Sequence, residues 1–321
     1  MSASEAFQVT WFAMGTEWQL QMHLDRPESY LRSVAEDIIG EVERVEQLLS
    51  FYRDSSDVRE LNAIAALGPA NVDPRLFNLL ERVQLLSQAT GGAFDPTIGP
   101  LLRCWGFVGN TGAMPTAREI EIARAVVGLR HVALDADART VRFDREGVEL
   151  EFGAIGKGYA IERAVELLRD EYEIESALIH GGTSTIYGLG SPPGCNTWNV
   201  AIQRPYAPPG DSVMMLSLRD RAVSVSAPHG KWFEQDGRRY GHILDPRTGY
   251  PAAGSMLAVV ATNSAAESDA LSTALLVLGE AGISIVRSFR PDAFVLVGTH
   301  ERDGELSFSK DGPEMLPGVS G

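Results

Sequence analysis

Four stretches of this 321-residue chain combine residue types and spacings that can do chemistry. The densest in glycine is Glu151-Phe-Gly-Ala-Ile-Gly-Lys-Gly-Tyr-Ala160, where a strand pattern gives way to a helical one. Such a junction can receive an anion, because the first N–H groups of a helix are unpaired and the dipole is positive there. Glycine also lets a phosphate approach the backbone closely. The stretch matches neither the P-loop nor the dinucleotide fingerprint, and a plain tight strand-to-helix turn fits it equally. A second cluster, Thr90-Gly-Gly-Ala-Phe-Asp-Pro-Thr-Ile-Gly-Pro-Leu101, precedes Cys104-Trp-Gly-Phe107. Its Gly and Pro content describes a rigid loop lining a pocket, or a structural loop in which Asp95 caps its own turn.

The third cluster is Arg239-Tyr-Gly-His-Ile-Leu-Asp-Pro-Arg-Thr-Gly-Tyr-Pro251. His242 titrates near neutrality and can act as a general base, while Asp245 fits a role pinning the Asp-Pro-Arg-Thr-Gly turn. The fourth is Ala265-Ala-Glu-Ser-Asp-Ala-Leu-Ser-Thr-Ala274, with Asp269 and Thr273 four apart on one face of an otherwise apolar helix. A buried carboxylate needs a partner. A hard cation such as Mg²⁺ would satisfy both oxygens; a first-turn carboxylate complementing the helix dipole is the alternative. His180 sits near a strand end, His229 in a loop, and His23, His131 and His300 are incidental. No His/Cys spacing makes a zinc site.

The elements that must position these residues follow from periodicity. Residues 7–24 read as two strands around Gly15-Thr16. Helical spacing runs through Leu31, Val34, Ile38, Val42, Val45 and Leu48, and again through Leu76, Leu79, Leu80, Val83 and Leu86 after an Asp73-Pro74 start. Ile120, Ala123 and Val126 mark a shorter helix. Strands return at 131–152, a helix begins near Gly156, and strands occupy 175–190 and 198–226. Asp236-Gly237 marks a hairpin, 256–262 a strand, 265–278 a buried helix and 293–297 a last strand. The stretch after Arg302 reads as a loosely held polar tail. Strands in hairpin-like runs among helices point to an α+β fold rather than a doubly wound parallel sheet.

Lys and Arg number 28 against 43 Asp and Glu, a net charge of −15. That balance excludes a general nucleic-acid binder and disfavours an anionic membrane surface. A phosphate ligand would have to be met by a cation, by backbone N–H groups near Gly156, or by Lys157. Two cysteines cannot build a disulfide framework. The start of the chain lacks the basic and apolar regions of a signal peptide, and no lipobox-like Cys or transmembrane span follows. The expectation is a cytoplasmic protein.

Taken in order, these clusters resemble the ApbE-type FAD:protein FMN transferases, formerly called thiamine-biosynthesis lipoproteins. The likeness begins at Met14-Gly-Thr and runs through Ser50-Phe-Tyr-Arg-Asp-Ser, Leu61-Asn62 and Phe94-Asp-Pro-Thr-Ile-Gly-Pro-Leu101 to Trp105-Gly-Phe107. It continues at Gly153-Ala-Ile-Gly-Lys-Gly-Tyr-Ala160, Gly181-Gly182, His242-Ile-Leu-Asp-Pro-Arg-Thr-Gly-Tyr-Pro251 and Ser268-Asp-Ala-Leu-Ser-Thr-Ala274. The resemblance implies a two-lobed α+β fold with mixed or antiparallel sheets and FAD in the cleft between the lobes. It places residues 1–310 in one domain and leaves 311–321 as a loosely ordered tail. It implies Mg²⁺-dependent transfer of FMN from FAD to a Ser or Thr hydroxyl of an acceptor protein, releasing AMP. The implied metal ligands are the Asp269 carboxylate, the Thr273 hydroxyl and the Ala154 carbonyl. The implied flavin contacts are Met14, Tyr52, Ala93, Phe94, Asp95, Glu151 and Lys157, with His242 as the base beside them.

The chain departs from the family pattern at Glu151, where Asp is usual, at Thr183-Ser-Thr after the paired glycines, and at Ser226-Ala-Pro-His-Gly230. Two other activities fit the same pocket. One is hydrolysis of FAD to FMN and AMP; the other is non-catalytic FAD binding.

Overall fold

The computed structural model describes residues 6–109, 111–208, 210–228, 230–300, 306–313 and 315. The chain opens with a hairpin of β1 (Phe7–Ala13) and β2 (Thr16–Met22). Met14 and Gly15 join them at φ 49° and 73°, the left-handed pair whose twist matches that of the flanking strands. α1 (Glu28–Leu49) buries the apolar stripe that its spacing announced. α2 (Asp57–Ile64) and β3 (Ala70–Asn71) follow. α3 (Pro74–Ala89) starts where Asp73 caps the Arg75 N–H and Pro74 fills the first turn. α4 (Gly99–Cys104) and α5 (Ala117–Arg124) come next, the latter closed by a Thr116–Glu119 capping box. The short pair β4 (Val132–Asp135) and β5 (Thr140–Phe143) leads to α6 (Gly156–Asp170).

The second half is richer in strands: β6 (Ala177–Gly181), β7 (Thr185–Leu189), β8 (Trp198–Gln203), β9 (Ser212–Leu218) and β10 (Arg221–Ser226). β11 (Trp232–Gln235) and β12 (Arg238–Gly241) form a hairpin on Asp236-Gly237, both at positive φ. β13 (Ser255–Thr262), α7 (Ala265–Leu278), α8 (Ala281–Phe289), β14 (Phe294–His300) and β15 (Leu306–Asp311) complete the order.

Eight strands make one sheet in the order β1-β2-β6-β7-β10-β13-β14-β15, and every neighbouring pair is antiparallel. The α+β expectation therefore holds. Both faces of this sheet are covered, which is why β13 reads as an unbroken apolar run instead of alternating with polar residues. Ala258 and Val260 join the larger core with α1, α3, α6 and α7, while Leu257, Val259 and Ala261 join Trp198, Val200, Leu216 and Leu218 of the β8–β9 ribbon. A third cluster gathers Leu101, Leu102, Trp105, Phe107, Ile120, Tyr240 and Leu244. It fastens α4 and α5 to the β11–β12 hairpin, with the Trp105 indole N–H donating to the Gly249 carbonyl at 2.8 Å.

The stretch expected to be a loose tail holds β15, which pairs along its length with β14. Cross-strand pairing overrides the polar composition that suggested a tail. Residues 316–321, where the tail expectation also fell, lie outside the described residues, as does His229. α2 and α8, of eight and nine residues, were not anticipated. Among the described residues no helix is long and apolar enough to cross a membrane.

Candidate active site

A cleft of about 470 Å³ opens where the N-terminus of α6, the middle of α7, the end of β10 and the third cluster meet. The residues implied as metal ligands, flavin contacts and base all line it except Met14: Tyr52, Ala93, Phe94, Asp95, Glu151, Ala154, Lys157, His242, Asp269 and Thr273. Met14 instead sits in the β1–β2 turn with its methyl carbon against Gly156, 3.4 Å from where a Cβ would stand. It packs against the α6 start and the core.

Separate backbone ties assemble the walls. The Asn62 side chain donates to the Leu150 carbonyl at 2.9 Å and accepts from the Leu150 N–H at 2.8 Å. That is the pairing a strand neighbour would make, and it explains the Leu61-Asn62 motif. The Glu151 N–H donates to the Pro96 carbonyl, joining the glycine-rich stretch to the Asp95 loop. Ser50 Oγ accepts the Tyr52 and Arg53 N–H groups and turns the half-exposed Tyr52 ring to the cleft mouth.

Three carboxylates face this space, and each is held differently. Asp95 Oδ1 accepts from the Thr97 N–H and hydroxyl at 2.9 and 2.6 Å, and Oδ2 accepts from Leu129 N–H at 3.2 Å. The capping alternative for Asp95 is thus realised within the cleft wall. Burial pushes its carboxyl up, and those bonds with Arg130 work against the rise. Glu151 is likewise pushed up by burial, opposed by the Gly153 N–H and by Lys157 and Lys231. Tyr52 is pushed up to about 12, by desolvation first and then by the Glu151 charge, so its phenol stays protonated at neutral pH.

Asp269 is 4% exposed, and its Oδ2 accepts the Gly158 N–H at 3.0 Å. Among the described residues no hydrogen bond reaches Oδ1. Thr273 Oγ1 lies 3.4 Å from the Asp269 carbonyl and 3.3 Å from Ser226 Oγ. Ala154 stands in the turn that launches α6. A carboxylate, a hydroxyl and a carbonyl oxygen on one cleft form a hard donor set, the kind that Mg²⁺ accepts while keeping several waters. The residues present therefore fit the implied ion. Among the described residues no group of three or more His, Cys, Asp or Glu gathers elsewhere to hold a metal.

Two of the backbone N–H groups expected to meet a phosphate near Gly156 have partners within the protein. Gly156 N–H donates to the Phe152 carbonyl at 2.7 Å and Gly158 N–H to Asp269. These two donors close the turn and seat a carboxylate, and Lys157 and Lys231 bring positive charge to the cleft. Lys231 was missed as a site residue. Its Nζ sits 5.1 Å over the Tyr52 ring, and its carbonyl accepts from both the backbone N–H and Nδ1 of His242, each at 3.0 Å. Its sequence signal was only a lysine at the foot of a hairpin. Nδ1 also faces the Lys231 N–H at 3.3 Å, so the Lys231 backbone meets that nitrogen in either tautomer and fixes the direction of the ring. Asp245 behaves as expected, binding the Arg247 N–H and guanidinium at 2.8–2.9 Å and pinning its turn.

An antiparallel sheet with helices packed on it and a cleft at the α6–α7 junction defines an α+β protein with a pocket of small-molecule size. The pattern of the ApbE family matches residues 14–296, and the chain belongs to that family. It is 32% identical over 291 residues to the FAD:protein FMN transferase of Treponema pallidum (strain Nichols), covering 86% of this chain and 80% of that protein. It is 31% identical over 312 residues to a protein of the same name from Klebsiella pneumoniae (strain 342), covering 96% and 93%. Among solved structures, the ApbE protein of Thermotoga maritima superposes with a TM-score of 0.86 at 29% identity, covering 95% of this chain and 97% of that one. The apo form of the Pseudomonas stutzeri flavinyl transferase ApbE gives 0.81 at 28% identity, covering 95% and 94%.

Proposed function

We propose that this chain transfers FMN from FAD to a Ser or Thr hydroxyl of an acceptor protein and releases AMP, with Mg²⁺ held by Asp269, Thr273 and Ala154. The observation that carries the reading is the convergence on one cleft of a hard-oxygen donor set, two lysines and an imidazole from distant parts of the chain. Bound there, Mg²⁺ would neutralise the pyrophosphate and polarise the phosphorus under attack.

The chain's own residues do the rest. Lys157 and Lys231 offset the diphosphate charge beside Glu151, Asp95 and Asp269. Ala93 and Phe94, both nearly fully buried, give the cleft an apolar floor, and Tyr52 offers a ring and a protonated hydroxyl at the mouth. His242, oriented by the Lys231 backbone, takes the proton of the acceptor hydroxyl. The acceptor oxygen then bonds to the phosphorus of the FMN half. The bond from that phosphorus to the bridging oxygen breaks, and the electron pair leaves on the AMP phosphate.

The test is incubation with FAD, Mg²⁺ and acceptor domains bearing Ser or Thr sites. The expected result is a mass gain of one FMN on the acceptor and one AMP per adduct. FMN and AMP released without any adduct would replace transfer by hydrolysis, and FAD binding with no AMP would remove catalysis altogether.

A further inference from the structure

Asp269 and Thr273 belong to α7, while Ala154 belongs to the turn ahead of α6, so the proposed cation site exists only if the two helices keep their relative position. Gly158 provides one point of contact. One helical turn further along α6, Glu162 provides another. Its Oε2 accepts the Ser264 hydroxyl at 2.5 Å and the Ala266 N–H at 3.4 Å. Ser264 is the N-cap of α7, its Oγ accepting the Glu267 N–H at 3.1 Å. The carboxylate of one helix thus holds the cap of the next.

Arg82 of α3 completes the arrangement. Its guanidinium donates through Nη1 to Glu162 Oε1, through Nη2 to Glu162 Oε2 at 3.2 Å, and also to Ser264 Oγ. It stands 3.7 Å from Glu267 Oε1. A planar fork binding a carboxylate at two points fixes orientation as well as distance. Arg290 holds the other side of Glu267 through two bonds of 2.5 Å, but touches neither Glu162 nor the Ser264 cap. None of Arg82, Glu162 and Ser264 lines the cleft.

We infer that Arg82 and Glu162 are positioning residues for the cation site: by gripping the cap of α7 from α3 and α6, they set Asp269 and Thr273 opposite Ala154. The inference rests on the proposed cation reading. It differs from a purely structural role in what it moves. A structural brace changes stability alone. A positioning pair changes metal affinity at unchanged fold, because groups that orient ligands typically contribute about 10- to 100-fold in affinity.

The experiment uses the full chain without FAD and Mn²⁺ as a paramagnetic probe, with free Mn²⁺ followed by electron paramagnetic resonance and Mg²⁺ as competitor. Glu162→Gln keeps the size and one acceptor oxygen while removing the charge. Arg82→Lys keeps the charge and removes the fork. Each is expected to weaken Mn²⁺ binding about tenfold, with circular dichroism like wild type. Arg290→Gln, which frees the other side of Glu267 while leaving Ser264 bonded to Glu162 and Arg82, should lower Tm and leave Mn²⁺ affinity unchanged. Affinity unchanged in both Glu162→Gln and Arg82→Lys overturns the inference, as does a loss in Arg290→Gln equal to theirs. Asp269→Ala separates the two levels. If it binds Mn²⁺ as wild type does, the cation reading itself fails and this inference falls with it.

Discussion

Gly158 offers a perturbation whose sign is decided by competing magnitudes. It is the third residue of α6, where replacing Gly by Ala normally stabilises a helix by about 1 kcal/mol. Here a Cβ would stand 2.2 Å from the Ala265 carbonyl oxygen and 2.7 Å from Asp269 Cβ. Ordinary carbon contacts lie near ~3.5 Å, and neither neighbour is the loose end of a side chain. Relief requires α6 and α7 to separate. Overpacking of this kind costs about 1–3 kcal/mol. The separation also stretches the Gly158 N–H bond to the Asp269 carboxylate, a charged acceptor whose loss is worth a further ~1.5–3 kcal/mol. The clash therefore wins, and Gly158→Ala should lower the urea-unfolding free energy by about 3 kcal/mol while raising the Mg²⁺ needed for half-maximal transfer. Gly40→Ala is the control. In α1 the added carbon would meet only the Arg44 guanidinium end at 3.4 Å, so the propensity gain of up to ~1 kcal/mol should emerge. Equal stability changes at the two positions, or a Gly158→Ala protein as stable as wild type, would refute the helix-approach reasoning.

Three other outcomes are expected. Asp269→Ala should reduce Mg²⁺-dependent transfer by ~10²-fold or more while largely preserving the fold, measured as AMP release beside circular dichroism. Lys231→Met should raise KM for FAD about tenfold, the equivalent of ~1.4 kcal/mol, with kcat changed less and with Lys231→Arg restoring affinity; initial rates at varied ionic strength check it. Glu151→Gln should stabilise the protein without FAD at neutral pH. A carboxyl raised in the folded state holds its proton more tightly there than in the unfolded chain, so stability falls as pH climbs above 4.5 towards the raised value. The Tm advantage of Glu151→Gln should therefore be present at pH 7 and close near ~pH 4.

The parts of the fold legible in sequence were those governed by neighbours in the chain. Asp73-Pro74 announced the start of α3, and Asp236-Gly237 the hairpin at the cleft edge. The stripe of α1 and the apolar run of β13 declared their burial. The tail after Arg302 misled because β15 owes its strand to pairing with β14, not to its own composition. Asp95 was open to two readings and Asp245 was read as pinning its turn; hydrogen bonds within two residues realise the cap of the one and the pin of the other.

What the sequence by itself determined was the inventory: an α+β order of elements, an acidic chain that cannot attract phosphate by net charge, and the motif set shared with the ApbE family. Tertiary structure decided how that inventory is used. Whether a glycine N–H meets a ligand or a carboxylate depends on a partner far along the chain, as Gly158 and Asp269 show across 111 positions. The same holds for Asn62 with Leu150, for Glu162 with the cap of α7, and for Lys231 with His242 and Tyr52. A buried donor or acceptor must find a partner, and only packing brings the competing partners within hydrogen-bond reach.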